Sequence, residues 1–335
     1  MNTFLDPKPI DDEIKIEKSL RPQNFDEMIG RTKEKKVLEI MIKSAKQRGE
    51  PIDHVMFHGP PGLGKTSFAN VIANEMNAQM HITSGPTIER PGDLASILTS
   101  LGDNDVLFID EIHRLSKTVE EVLYPAMEDF AIDIMLGKGA GAKSVRIDLP
   151  KFTVIGATTK VGSVSAPLRD RFGTLLRLDF YSDTELAEML IQKSKILNVE
   201  IDSDRALTLG KRSRGTARIA IRLLKRARDL ASYLDEGITD ENIEKCMAML
   251  EIDNLGLDEM DRKILNVIIN DFAGGPVGLS TISASLSEDV TTLEDMYEPY
   301  LIQLGFLQRT PKGRVATEKA YNYIGKTKIE KSTLF

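Results

Sequence analysis

The sequence predicts an α/β core built around a phosphate loop, a parallel sheet with helices on both faces, followed by a small helical domain and a winged-helix domain. Three observations carry that prediction. Apolar strands alternate with helical stretches through the first half of the chain. A glycine-rich turn, Gly59-Pro-Pro-Gly-Leu-Gly-Lys65-Thr66, joins the first strand to a helix. Beyond Ser182 the periodicity is almost wholly helical until a Pro-Gly hairpin near Lys312. At 335 residues the chain exceeds what one core usually supports, and with 41% hydrophobic and 28% charged residues it has the material for several.

The elements follow in order. Residues 1–18 are Pro- and charge-rich and read as a flexible arm. Helical spacing over Lys33 to Gln47 gives way to an apolar strand, His54 to His58, then the glycine turn and a helix from Lys65 to Met76. Further strands read at Val106 to Ile109, Thr153 to Ala157 and Leu175 to Phe180, with helices at Asp93 to Leu101 and Thr118 to Met127. Alternating Ile132, Ile134 and Leu136, then Val145, Ile147 and Leu149, flank Gly137 to Ala142 and make residues 130–148 a protruding hairpin suited to docking a partner. The expected domains are 1–181, 182–252 and 255–335. In the last, a helix from Asp258 to Phe272 precedes two more and a hairpin around Pro311-Lys312-Gly313; the final ten residues read as a frayed tail.

Composition excludes other classes. No apolar run approaches the roughly 18 residues of a membrane span, and the chain's start lacks a signal peptide's apolar segment, so a cytoplasmic location is expected. One cysteine, Cys246, excludes an internal disulfide framework, and the four histidines show no metal-ligand spacing. The net charge of -7 argues against a surface coated in basic groups, though not against a local basic patch.

The glycine turn matches G-x-x-x-x-G-K-[ST]. Between a strand and a helix, its backbone N–H groups can close around phosphate oxygens at the positive helix end. Gly62 and Gly64 leave room for that approach, Lys65 reaches the β- and γ-phosphates of ATP, and Thr66 holds Mg²⁺. The strand Val106 to Ile109 runs into Asp110-Glu111, which puts Asp110 at the metal and lets Glu111 polarise an attacking water, a hydrolase pattern. The next strand ends in Thr158-Thr159, a hydroxyl beside the same phosphate. In Leu168 to Gly173, Arg171 is either a solvated turn residue or a finger offered to a neighbouring subunit's γ-phosphate. Residues 205–228 hold nine basic and no acidic side chains, with Arg218 best placed to touch nucleotide. Tyr181, at the domain boundary, either closes over an adenine or packs.

Leu20-Arg21-Pro22, Gly59 to Thr66, Asp110-Glu111-Ile112-His113, Gly156 to Thr159, Leu168 to Gly173 and Gly215 to Leu224 together resemble the AAA+ family. The closing stretch Tyr297 to Thr317 narrows the resemblance, from about Ser19 to Tyr323, to the RuvB family of bacterial Holliday-junction branch-migration motors. That resemblance implies a hexameric ring ATPase using ATP and Mg²⁺, active in homologous recombination, DNA repair and the SOS response, and driving DNA through a four-way junction held by RuvA. It implies an adenine pocket of Leu20, Arg21 and Tyr181, phosphate contacts from Gly62, Lys65, Thr66 and Ser67, and nucleotide contacts from Glu128, Asp129 and Phe130. Thr159 would be the first sensor, Arg171 the finger acting in trans and Arg218 the second sensor; the hairpin 130–148 would meet RuvA, and the RuvC resolvase is a further implied partner. Family members usually carry Pro where Ala217 stands, Asn where Ile221 stands and often Arg where Val290 stands.

Two alternatives share parts of this pattern. A clamp-loader subunit would end in a helical collar, and a transcriptional regulator would carry a basic recognition helix. Here the third helix of the last domain, Thr292 to Leu304, carries Glu294, Asp295 and Glu298 and no Lys or Arg, whereas residues 300–335 hold seven basic against two acidic positions. The wing is therefore expected to bind DNA, with Arg309 and Arg314 on phosphates, independently of sequence.

Overall fold

The computed structural model describes residues 19–136 and 143–327. The expected arm 1–18, the hairpin tip Gly137 to Ala142 and the end of the tail from Lys328 lie outside the described residues. The chain divides into two compact units, Met1–Asp179 and Phe180–Phe335.

The first unit holds a five-stranded, wholly parallel sheet in the order β2-β3-β6-β1-β7. Its strands are β1 Val55–His58, β2 Met80–Ser84, β3 Val106–Asp110, β6 Thr153–Thr158 and β7 Thr174–Arg177. Helices α1 Thr32–Arg48, α2 Lys65–Met76, α3 Pro91–Thr99, α4 Lys117–Glu128 and the short α5 Ala166–Arg169 connect them. The three central strands are continuous apolar runs because helices cover both faces: every residue of β6 is buried, and Val55, Met56 and Phe57 of β1 are fully so. Phe57 stacks on Phe68 of α2 at 5.1 Å, fixing the helix that leaves the glycine loop against the strand that enters it. Gly156 in β6 admits Phe172 and Ile112, since a Cβ there would lie 3.0 Å and 3.1 Å from their side chains.

Strand β2 is absent from the sequence reading. It is an edge strand, Met-His-Ile-Thr-Ser, with no fully buried residue and Ile82 exposed, so it lacks the apolar run that marked its neighbours. The expected hairpin forms from β4 Ala131–Leu136 and β5 Lys143–Asp148, paired antiparallel from Ala131↔Asp148 to Leu136↔Lys143. At its base Ile132 is buried, and farther out Val145 is exposed.

The second unit begins with four helices, α6 Asp183–Ile196, α7 Ser203–Lys211, α8 Ala217–Tyr233 and α9 Asp240–Met249. Ser182 and Glu185 close a capping box at the start of α6, each side chain satisfying the other's backbone N–H. Next comes α10 Glu259–Asn266, which runs into a π-helical turn, Val267–Asp271. Helix α11 Leu279–Leu286 follows, then α12 Val290–Thr292, a second π-helical turn and α13 Glu298–Gln303. The hairpin β8 Leu307–Thr310 with β9 Gly313–Ala316 is the wing. Helix α14 Glu318–Tyr323, which sequence periodicity missed, buries Ala320 and Tyr321 in the same core as Leu265, Leu301 and Phe306; six residues are too few for a helical period to show.

Candidate functional site

Strand β1 delivers the chain to the carboxyl edge of the sheet, and the glycine loop turns there. Gly59 has φ 141°, and a Cβ on it would lie 2.3 Å from the Leu178 carbonyl, so only glycine fits. Its N–H donates to the Thr158 carbonyl at 3.2 Å, which ties the loop to the end of β6. Gly62 and Gly64 also take positive φ, 78° and 94°, and Leu63 between them is buried as an anchor. Gly64 caps α2 without a side-chain bond, leaving the first-turn amides facing the loop at the helix's positive end. The Lys65 ammonium donates to the carbonyls of Gly59 and Pro60, each at 2.8 Å, and so stands at the loop's mouth. Thr66 and Ser67 follow on the same first turn. Burial, and the cations Arg177 and Lys65, hold the His58 pKa below its usual value, so a neutral imidazole precedes the loop.

Strand order decides what faces this loop. Because β6 lies between β1 and β3, Thr158 and Thr159 come between the loop and Asp110-Glu111. Asp110 ends β3, with one carboxylate oxygen accepting the Glu111 N–H at 2.9 Å. Glu111 sits in the left-handed region, φ 47°, and its carboxylate accepts from Arg114 at 3.0 Å in an exposed pair. A non-glycine residue held there stores strain of the kind found at functional sites. The Thr158 hydroxyl lies 3.0 Å from His113 Nδ1 and accepts the Lys160 N–H. Sequence reasoning missed these roles of His113 and Arg114, although both follow Glu111 within three positions.

Leu20 is buried and Arg21 exposed, and the segment they open lies along α2: Asn70 donates to the Pro22 carbonyl and Asn74 to that of Gln23. Arg171 is not a loosely solvated turn residue. Its guanidinium lies 4.3 Å over the Tyr124 ring, donates to the Pro167 carbonyl at 2.6 Å and pairs with Glu128 at 3.1 Å. Tyr124 is itself held, since its hydroxyl and that of Ser165 both donate to the buried carboxylate of Glu120. Asp129 pairs with Arg146 across the hairpin base. Phe130, half-buried, packs its ring edge-on against Phe152 at 5.8 Å and beside His54, against the edge of the apolar core.

In the second unit, Tyr181 is buried and its N–H donates to the Gly215 carbonyl at 2.9 Å. Arg218 is exposed in the first turn of α8, whose buried face is Ala220, Leu223, Leu224, Ala227 and Ala231. On the wing, Arg309 is exposed and pairs with Glu294 at 3.1 Å, and Lys312 at the turn is exposed. Arg314 departs from the expectation. Its guanidinium forks onto both oxygens of Glu298 at 2.8 Å, with side-chain exposures of 12% and 5%, so its charge is neutralised and covered and it fastens the wing to α13 instead of presenting itself to phosphate. Among the described residues no helix is long and apolar enough to cross a membrane, and no group of three or more His, Cys, Asp or Glu side chains is arranged to hold a metal ion.

Three family models match consecutive stretches: the Holliday junction DNA helicase RuvB P-loop domain over residues 20–178, the RuvB AAA lid domain over 181–253 and the RuvB C-terminal winged helix domain over 254–325. A Holliday junction branch migration complex subunit RuvB of Chloroflexus aurantiacus is 56% identical over 323 residues, 96% of this chain and 92% of that one. The solved Thermotoga maritima RuvB Holliday junction branch migration motor is 50% identical, with a TM-score of 0.84 over 92% of this chain and 98% of that one. A variant of the same protein gives 51% and 0.85. With the phosphate loop, the Asp-Glu strand end, the helical lid and the winged helix each matched in order, the chain belongs to the RuvB family of ATP-hydrolysing Holliday junction branch migration motors.

Proposed function

We propose that six copies of this chain form a ring that, with RuvA, couples ATP hydrolysis to branch migration of Holliday junctions in recombination and repair, in the cytoplasm and in reach of the RuvC resolvase. One observation carries the reading: the glycine loop with Lys65, the threonines of β6 and the carboxylates ending β3 meet on one carboxyl edge of one sheet. Lys65 and the loop amides bind the phosphates, Thr159 senses them and Glu111 takes the proton of the attacking water. The Thr66 hydroxyl and Asp110 carboxylate are hard oxygen donors that suit Mg²⁺, which when bound neutralises charge on the β- and γ-phosphates. Leu20, Arg21 and Tyr181 border the adenine, and Arg218 reaches the nucleotide from the lid.

Arg171 serves the neighbouring subunit's site, with Glu128 and Tyr124 holding it ready; a preset cation loses less freedom when it meets a phosphate. The working divisions are 1–181, 182–252 and 255–335, with hairpin 130–148 as the RuvA contact. The wing meets DNA through Arg309 and Lys312, whose charges are exposed, and not through Arg314. The decisive experiment supplies the purified chain with ATP, Mg²⁺ and a synthetic four-way junction, with and without RuvA. Junction-stimulated hydrolysis and RuvA-dependent strand separation are expected; hydrolysis indifferent to the junction under both conditions would refute the reading.

A further inference from the structure

Arg214 belongs to a short segment with two different sets of neighbours. On one side the segment leads directly to Arg218, and its Gly215 carbonyl accepts the N–H of Tyr181. Gly215, at φ 64°, is pressed against Phe180, where a Cβ would come within 2.9 Å of that ring's own Cβ. On the other side Arg214, itself left-handed at φ 51°, turns its side chain away into the winged-helix part. Its Nε donates to the Gly256 carbonyl at 2.8 Å, its Nη2 donates to Asp261, and the same Nη2 pairs with the Asp258 carboxylate at 2.9 Å. The rings of Tyr300 and Tyr297 lie 5.6 Å and 5.9 Å from the guanidinium carbon.

Those two carboxylates are a helix start. Asp258 is the N-cap of α10 and Asp261 its capping-box partner, so Arg214 grips the first winged-helix element by the groups that begin it. Asp261 is fully buried and Arg214 only 11% exposed. The joint is reinforced next door, where Arg212 donates to Glu244 at 2.6 Å and to Asn254 at 2.5 Å, and Tyr300 donates to the Leu255 carbonyl. A shift of residues 214–218 must therefore carry α10 with it or pull the covered Arg214 guanidinium off buried Asp261, leaving polar groups without their partners, which is the costlier alternative.

We infer that Arg214 is a positioning residue that couples the lid segment that bears Arg218 and accepts the Tyr181 N–H to the winged helix proposed to bind DNA, passing nucleotide state to DNA and DNA occupancy back to hydrolysis. Coupling of this kind is reciprocal between the two ligands. The inference rests on the proposed roles of Arg218 in nucleotide binding and of the wing in DNA binding.

The test compares the full-length wild type with Arg214→Gln and Asp258→Asn, the second of which keeps an N-cap because Asn caps as well as Asp. ATP hydrolysis is measured with and without a synthetic four-way junction, and junction affinity with and without a non-hydrolysable ATP analogue. Arg214→Gln is expected to keep DNA-free kcat and KM, and nucleotide-free junction affinity, within about twofold, while junction stimulation and the analogue's effect on affinity each fall by about fivefold or more. Asp258→Asn shows a smaller loss in the same direction, and Arg214→Lys recovers part of the coupling. Wild-type stimulation in folded Arg214→Gln overturns the inference. If that variant does not fold, wild-type stimulation in Asp258→Asn overturns it. Arg218→Ala, measured alongside, isolates the underlying reading: unchanged DNA-free hydrolysis there refutes the nucleotide role of Arg218 itself.

Discussion

Replacing Glu111 by Gln separates chemistry from binding at this site. Gln keeps the length and shape of the side chain but cannot take a proton from water, and losing a positioned base costs about 10²- to 10⁴-fold in rate, roughly 3 to 5.5 kcal/mol of activation free energy. Little else should change. The carboxylate's direct partner Arg114 is 57% exposed and Glu111 itself 47%, so loss of that ion pair costs about 0 to 1 kcal/mol of stability. The groups proposed to bind phosphate, Lys65 on the carbonyls of Gly59 and Pro60 and the amides after Gly64, are contributed by another strand end and do not lean on Glu111. Single-turnover hydrolysis at saturating ATP, equilibrium binding of a fluorescent ATP analogue and a thermal melt give three independent readings. Slow turnover with intact binding and melting is expected. Turnover within about threefold of wild type would refute the assignment, because no positioned base is worth so little.

Mixing Arg171→Ala chains with Lys65→Ala chains should recover ATPase activity that neither has alone, because head-to-tail contacts in a ring let one interface draw both intact residues; no recovery across mixing ratios argues against a finger in trans. Arg309→Ala with Lys312→Ala should weaken binding to unrelated DNA sequences alike and flatten the salt slope by about one to two units. Arg314→Ala should instead lower the melting temperature, since breaking its covered pair with Glu298 leaves a buried carboxylate and costs about 3 to 5 kcal/mol; a stable Arg314→Ala protein with a flattened salt slope would reverse the two assignments. Burial pushes the Asp261 carboxyl from 3.8 up to about 7 against the pull of Arg214. The folded state then holds a proton the unfolded chain has released, and stability falls as pH rises through that window. Relative to Asp261→Asn, the wild type should lose stability between about pH 4 and pH 7 and no further above it, as read by denaturant melts; a difference independent of pH contradicts the raised value.

Much of the nucleotide edge was legible in the sequence because its determinants are local. Gly59, Gly62 and Gly64 stand where the backbone takes positive φ, a demand only glycine meets cheaply. Apolar runs ending in Asp110-Glu111 or Thr158-Thr159 follow from central strands buried on both faces. The same logic explains the failures at β2 and α14, an edge strand without an apolar run and a helix of fewer than two turns. What a cation does is another matter, since Arg171, Arg214, Arg309 and Arg314 look alike in a sequence and are told apart by partners far along the chain. Arg171 lies on Tyr124, Arg214 reaches Asp258 and Asp261, and Arg314 meets Glu298 across the winged-helix core. Only the tertiary fold brings those groups within a few ångströms, and because charge energy depends on burial and distance, only the fold decides which arginine is held by a covered partner and which stays exposed.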